Sequence, residues 1–260
     1  MSYNIVSTKD LTCDLLTRLF TNEVGAVRVP NFISTDVCQL AVQGIQAHGI
    51  GYYDGVYPRI GRIGITQNEH KNRPSGKRAY FANASASHNV RERVLQESGD
   101  LLFTVMEAVK AAWVNEVGLA FEENLDEYYF AGLVRVINRA LLHFDWAQYD
   151  GRGWAIEQIS AQLSWNIFLQ VGAKGGATKI YRRLWQKSDE VYKIPDSYGY
   201  DSEVIEQCDV VEILPEQGEL VFFNSRNFHE VEKTEGEEER ITISSFIGLL
   251  EPANKLIFWS

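Results

Sequence analysis

Two histidines, one aspartate and one arginine have the residue types and spacing of a metal site with an anion site beside it. His143-Phe144-Asp145 offers an imidazole and a carboxylate two residues apart, and His229 offers a second imidazole much later in the chain. Two imidazoles and one carboxylate form the face that holds non-haem Fe(II) and leaves three coordination positions open. Arg240 follows on the next predicted strand, where a bidentate pair with the far carboxylate of a dicarboxylate cosubstrate is feasible.

The local sequence favours bringing these groups together. His143 and Asp145 would point the same way on an extended segment, because side chains two apart share a face of a strand. Arg240 and Thr242 also share one face, and an arginine inside a barrel needs an anion to offset its burial. The alternative is a core histidine bonded to Asp145, with His229 unrelated on the surface. The remaining histidines lie in predicted loops or at helix ends and are not expected to be ligands: His48, His70 and His88.

Most of the second half of the chain has the period of two that is typical of strands. In residues 161–171, polar Gln162, Ser164 and Asn166 alternate with apolar residues, so these three are either contacts around the site or solvent-facing positions. Short strands divided by glycine, proline and acidic turns predict a sandwich or a barrel. The further predicted strands are residues 133–139, 178–182, 210–213, 218–223, 240–250 and 255–259.

Helical periodicity marks the first half of the chain. Residues 9–22 and a segment that begins at the capping sequence Ser34-Thr35-Asp36 are predicted helices around a strand at 26–29, which together indicate an N-terminal helical layer. One long helix is predicted over residues 90–115. Residues 49–86 are rich in glycine and in basic side chains, and they are predicted to be a largely irregular loop that acts as a substrate lid. Its charges could equally be solvated on the surface.

Composition and charge bound the function. The chain has 260 residues, enough for one domain with a substantial core, and we expect a single domain over residues 1–260. Its net charge of -10 argues against nucleic-acid and anionic-membrane partners. We expect a cytoplasmic protein, because the chain carries no apolar span or signal sequence and its three cysteines fit reduced thiols. The sequence leaves open whether it forms a homo-oligomer.

The order His143, Asp145, His229 and then Arg240 with Thr242 resembles the Fe(II)/2-oxoglutarate-dependent oxygenases. More narrowly, residues 58–67, 223–231 and 258–260 are similar to the small enzymes that hydroxylate or chlorinate free amino acids such as lysine. The resemblance covers most of residues 50–260. It implies a mainly β fold with flanking helices, a double-stranded β-helix (a cupin-like jelly roll). It also implies Fe(II), 2-oxoglutarate and O2 as cofactors.

The resemblance also implies roles for particular residues. His143, Asp145 and His229 would bind the iron, and Arg240 with Thr242 would bind 2-oxoglutarate. The polar face of residues 161–171 adds Asn166 as a candidate contact of 2-oxoglutarate. Arg78 is the first candidate for a substrate carboxylate, Arg62 the second, and Trp259 a candidate pocket wall; a packed aromatic or a surface arginine is the alternative for each.

The same resemblance bears on the reaction. The halogenases of this group have glycine or alanine where this chain has Asp145, so the carboxylate implies hydroxylation of an unactivated C–H bond with conversion of 2-oxoglutarate to succinate. Trp146 stands where a lysine-specific relative is expected to have a polar contact. Alternatives are desaturation, halogenation, or a different small molecule or peptide as substrate. A binding module that has lost its chemistry is disfavoured, because the triad is complete.

Overall fold

The computed structural model describes residues 3–71, 73 and 75–260, in which short strands outnumber helices. Within these residues the α-helices are α1 (Cys13–Phe20), α2 (Thr35–His48), α3 (Gly76–Val94), α4 (Leu101–Ala112) and α5 (Ala147–Asp150). Short 3-10 helices span Gln67–Glu69, Ala155–Gln158, Lys187–Tyr192 and Ser202–Ile205. The strands are β1 (Ile5–Ser7), β2 (Ala26–Val29), β3 (Gly51–Tyr52), β4 (Gly61–Ile63), β5 (Val117–Leu119), β6 (Phe121–Glu122), β7 (Glu127–Tyr128), β8 (Leu133–Val136), β9 (Ala140–His143), β10 (Ala161–Gln170), β11 (Lys174–Gly175), β12 (Thr178–Leu184), β13 (Val210–Ile213), β14 (Leu220–Phe223), β15 (Asn227–Val231), β16 (Thr234–Glu235), β17 (Ile241–Leu250) and β18 (Lys255–Trp259).

Two sheets form the body of the molecule. The larger sheet has the order β1-β2-β14-β10-β17-β8-β4-β3, with β18 beside β17 and β5 beside β18. The smaller sheet has the order β13-β12-β15-β9. The eight core strands of the barrel, numbered 1 to 8 along the chain, are β8, β9, β10, β12, β13, β14, β15 and β17. In this numbering the order is 6-3-8-1 in one sheet and 5-4-7-2 in the other, which is the double Greek-key connection of a jelly roll. The fold expected from the resemblance, a double-stranded β-helix, is therefore confirmed.

Strand β10 shows why the larger sheet has one apolar and one polar face. Leu163, Trp165 and Ile167 pack in the main core with residues of α1, α2 and α4. The alternate residues point to the other face, inside the barrel, where Gln162 is 2% and Ser164 is 8% exposed. The interpretation of this polar face as solvent-facing is therefore wrong.

The N-terminal layer has the predicted order of helix, strand and helix. Thr12 caps α1 by accepting from the amide of Leu15, and Ser34 caps α2 by accepting from the amide of Val37. Strand β2 joins the larger sheet next to β14. These helices cover the outer face of that sheet and leave its inner face to the site.

Two predictions in the first half are wrong in part. The single helix over residues 90–115 is two helices, because Gly99 adopts a φ of 82° and Asp100 caps a new helix by accepting from the amide of Phe103. The segment 49–86 is more ordered than a loop: it contains β3 and β4, and its last eleven residues lie in α3. Strand β4 pairs with β8, so part of the expected lid is an edge of the sheet. Its role as a lid stays a prediction.

None of the helices in the described part of the chain combines the length and apolar character of a membrane-spanning segment.

Candidate metal centre

The three predicted metal ligands meet at one end of the smaller sheet. His143 ends β9 and stands directly across from His229 on β15. Asp145 follows β9, and its amide donates to the carbonyl of Ser225 just before β15 at 2.8 Å. The carboxylate oxygen Oδ2 of Asp145 lies 3.8 Å from Nε2 of His143 and 3.5 Å from Nε2 of His229. One ligand atom from each residue falls within 4.8 Å of the others, a spacing that a single ion can bridge.

Both imidazoles are oriented by the backbone two residues earlier. Nδ1 of His143 lies 2.7 Å from the carbonyl oxygen of Leu141, and Nδ1 of His229 lies 2.9 Å from that of Asn227. A carbonyl only accepts, so each Nδ1 carries the proton and donates it. Each Nε2 therefore presents a lone pair toward Asp145, which is the arrangement of metal-ligating histidines.

The electrostatics of the site favour the protonation states that a cation requires. Burial, helped by the neighbouring imidazole of His229, lowers the pKa of His143 from 6.5 to about 4. Burial raises the pKa of Asp145, but its close contacts with His229 and His143 and the positive charge of Arg135 outweigh that effect and hold the pKa below its usual range. At neutral pH, His143 is neutral and Asp145 is ionised, as metal binding demands.

A buried glutamine fixes the segment that carries Asp145. Gln162 donates from Nε2 to the carbonyl of Asp145 at 3.2 Å and to Oγ of Ser225 at 3.1 Å, and its Oε1 accepts from the amide of Ala147 at 2.9 Å. Ser225 donates to the same Asp145 carbonyl at 3.3 Å. The inward face of β10 thus ties the ends of two strands of the smaller sheet together.

Arg240 is buried in the barrel, and no acidic side chain of the residues that the structure describes forms an ion pair with it. It is 3% exposed, its Nη2 donates to the hydroxyl of Thr178 at 3.1 Å, and its guanidinium lies 4.9 Å from the ring centre of Phe168. Among the described residues, Nε of Arg240 and the neighbouring hydroxyl of Thr242 have no hydrogen-bond partner. Burial lowers the pKa of Arg240 to about 10. A fixed, unpaired cation beside open hydroxyls fits the distal carboxylate of 2-oxoglutarate.

Asn166 points into the same interior. It stands across from Ser244 of β17, and its side-chain amide donates to Ser164 at 3.4 Å. Its contact with the cosubstrate stays a prediction.

The predicted substrate residues have different surroundings. Arg78 is exposed on α3, on the wall of a surface cavity of about 440 Å³. Arg62 donates to the carbonyl of Gly64 at 3.0 Å and forms an ion pair with Glu69, so its charge already has a partner. Trp259 is 2% exposed and packs 5.7 Å from the ring of Phe246. Their roles in substrate binding stay predictions.

Sequence reasoning missed an aromatic wall behind the ligand strands, on the face opposite the metal ligands. The ring of Phe144 stacks on Trp185 at 4.4 Å, with Tyr149 at 4.5 Å from Trp185. The hydroxyls of Tyr149 and Tyr200 both donate to Glu190, at 2.9 and 2.5 Å. The wall joins residues next to Asp145 to the segment between β12 and β13, and no local pattern links such distant positions.

Comparison with known proteins identifies the family. The model of the carrier-protein-independent halogenase WelO5 matches residues 5–260. The chain belongs to this family. One similar protein is the leucinostatins biosynthesis cluster protein S of Purpureocillium lilacinum. It is 38% identical over 220 residues, which cover 80% of this chain and 89% of the relative. Another is the L-gamma-glutamyl-L-propargylglycine hydroxylase of Streptantibioticus cattleyicolor, 29% identical over 133 residues, 50% of this chain and 48% of the relative.

A solved structure has the same fold. The N-substituted L-amino acid dioxygenase of Burkholderia ambifaria AMMD superposes with a TM-score of 0.66 at 13% identity, over 96% of this chain and 92% of that one. With its halogenase family and its site geometry, the chain is a non-haem Fe(II)/2-oxoglutarate-dependent oxygenase that uses O2.

Proposed function

We propose that this member of the halogenase family is a hydroxylase that inserts oxygen into an unactivated C–H bond of its substrate and converts 2-oxoglutarate to succinate. The observation that carries the proposal is the carboxylate of Asp145, 3.5 and 3.8 Å from the two Nε2 atoms. Halogenases of this group have glycine or alanine at that position, which leaves a coordination site for chloride. A third protein ligand removes that vacancy.

We infer that the substrate is a free amino acid, lysine or a related one, or a small amino-acid derivative. Two similar proteins carry names that support this class: one hydroxylates a γ-glutamyl amino acid, and the other is a dioxygenase of N-substituted amino acids. The second candidate reaction is halogenation, the activity of the halogenase after which the family is described. The two reactions differ in the atom that the product gains, so one assay separates them.

Each group at the site has a defined task in this proposal. His143, Asp145 and His229 hold Fe(II), and Arg240 holds the distal carboxylate of 2-oxoglutarate. The iron with its cosubstrate supplies the oxidation of a C–H bond that no side chain could attack. The ring stack of Phe144 and Trp185 packs on the face of the ligand strand opposite His143 and Asp145, where it supports that strand.

The test is succinate formation by protein loaded anaerobically with Fe(II) and 2-oxoglutarate, then given O2, sodium chloride and each free amino acid in turn. We expect one amino acid to stimulate succinate strongly and to gain one oxygen atom, as seen by mass spectrometry. A product in which chlorine replaces hydrogen would establish halogenation instead. Succinate without stimulation by any amino acid would refute a free amino acid as the substrate. His229→Ala is the control and should form no succinate.

A further inference from the structure

Arg135 is a second arginine inside the barrel. It lies on β8 between Val134 and Val136, both of which pack in the core beneath the helices. Side chains alternate along a strand, so Arg135 points to the inner face. It stands directly across from Thr242 on β17 and from Arg62 on β4.

Arg135 lies closer than Arg240 to the level of the metal ligands along the strands. Strand β8 turns back into β9, which ends at His143, whereas Arg240 stands opposite Ile137 at the turn itself. In the described part of the chain, the Nε of Arg135 is buried and has no hydrogen-bond partner. The nearby carboxylates are committed elsewhere, because Glu69 pairs with Arg62 and Asp145 faces the two imidazoles.

Two interior cations are more than one distal carboxylate can neutralise. Arg135 and Arg240 lie on neighbouring strands, two positions apart in register, so their Cα atoms are about 8 Å apart. Arg240 is anchored on Thr178, whereas Arg135 lies toward the triad. A guanidinium whose Nε is buried without an acceptor is costly unless a ligand supplies one.

We propose that Arg135 is a carboxylate receptor at the metal end of the barrel, distinct from Arg240. The carboxylate comes from one of two sources: the keto-acid end of the cosubstrate, or the carboxylate of the substrate. The second source rests on the proposed amino-acid substrate. A guanidinium suits both, since it binds a carboxylate with two parallel hydrogen bonds.

The test measures binding rather than turnover. Oxygen-free, Mn(II)-loaded wild type and Arg135→Gln are titrated calorimetrically with 2-oxoglutarate and with 2-oxobutanoate, which has the keto-acid end but no distal carboxylate. The Mn(II) and 2-oxoglutarate complex is then titrated with the panel of free amino acids. Arg139→Gln is the matched control, because this arginine lies in the same β8–β9 hairpin but is exposed. Arg135→Lys keeps the charge, loses the bidentate geometry and serves if the glutamine variant does not fold.

The outcomes separate the two sources. A tenfold or greater weakening of both keto acids in Arg135→Gln assigns the keto-acid carboxylate, and the same loss for an amino acid alone assigns the substrate. Arg135→Lys should weaken the same ligand by a smaller factor, and Arg139→Gln should bind as wild type. Unchanged dissociation constants for both keto acids, with no amino acid bound more weakly than by wild type, overturn the proposal. If wild type binds no amino acid, the proposal of a free amino acid as substrate fails, while the keto-acid result still decides on Arg135.

Discussion

At the scale of single residues, the histidine ligands are oriented before any ion arrives. Each donates its Nδ1 proton to a carbonyl two residues earlier in its own strand, and those strands are directly paired. Among the described residues, no backbone group binds the carboxylate of Asp145, which lies against the two imidazoles instead. Asp145 is therefore the ligand whose removal changes the coordination with the least change to the other two.

Asp145→Gly should lower hydroxylation at least about tenfold, since even an outer partner of a metal site contributes that much. It should also make turnover sensitive to chloride, because one coordination position is freed. Succinate and product are measured with and without sodium chloride. Asp126→Gly is the control, since Asp126 is exposed and already has a φ of 56° that favours glycine. Undiminished hydroxylation would show that Asp145 does not coordinate the metal.

The metal-free protein should lose stability as the pH falls below 6.5. The pKa of His143 is about 4 in the folded protein and 6.5 when exposed, so the unfolded chain takes up the proton first. The free energy of unfolding then decreases with falling pH, by about 2 kcal/mol between pH 7 and pH 5 from this residue. Urea unfolding with a chelator present measures it. His143→Gln should show a shallower pH dependence, and an equal slope in both proteins contradicts the assignment.

Arg240→Met should separate binding from stability. The affinity of Mn(II)-loaded protein for 2-oxoglutarate should fall by about 1.5–3 kcal/mol, the contribution of hydrogen bonds to a charged group. The ligand-free protein should gain about 1 kcal/mol or more in unfolding free energy, because a buried cation without a counter-anion is removed. Calorimetry and urea unfolding measure the two. Binding of 2-oxobutanoate should be unchanged, and a parallel loss for both keto acids would show that Arg240 does not serve the distal carboxylate.

At the scale of elements, alternation along the strands made much of the barrel predictable. Strands β2, β13 and β18 have the predicted bounds, and the cap at Ser34 begins α2 as expected. The break between α3 and α4 was missed, because the apolar period continues across a turn that depends on Gly99. The sequence predicts a loop over residues 49–86, because β3 and β4 are short, and β4, the only partner of β3, joins the sheet through the distant strand β8.

The metal ligands and the anion-binding arginine could be predicted, because their residue types alone indicate what they bind. Two histidines, one aspartate and an arginine on a patterned strand indicate a metal and an anion. The polar face of β10 was ambiguous, because the alternation of Gln162 with its apolar neighbours is the same whether that face meets water or a barrel interior. Arg135 lies in the strand sequence Leu133-Val134-Arg135-Val136 with the same alternation, and only the known interior of a closed barrel reveals its direction.

Gln162→Leu should loosen the segment that carries Asp145. The change removes one acceptor and two donated hydrogen bonds, and it leaves the amide of Ala147 buried without a partner. We expect a loss of about 1–3 kcal/mol in unfolding free energy and about 10-fold weaker metal binding. Gln170→Leu is the matched control: it lies on the same strand and loses a hydrogen bond to Glu239, but far from the ligands. Equal metal affinity in the two variants would contradict a positioning role for Gln162.

At the scale of the whole molecule, the interior of the barrel carries positive charge although the protein as a whole is negatively charged. The chain carries a net charge of -10, yet two guanidinium groups inside the barrel, those of Arg135 and Arg240, each keep a buried Nε without a partner among the described residues. Acidic side chains stay outside, apart from those in ion pairs and the metal ligand. Such an interior is complementary to a small anion that binds together with a metal cation. The cost of burying the two arginines is offset when both ligands bind.

Mn(II) and 2-oxoglutarate together should therefore stabilise the fold more than the sum of their separate effects. At 100 times the dissociation constant, a ligand that binds only the folded state adds about 2.7 kcal/mol. For a chain of this size, that raises the midpoint of thermal unfolding by about 5–10 °C. Scanning calorimetry with each ligand alone and with both measures the effect. In His229→Ala the combined shift should collapse to that of 2-oxoglutarate alone, because the anion then has no metal to chelate. A full combined shift in that variant would place cosubstrate binding away from the triad.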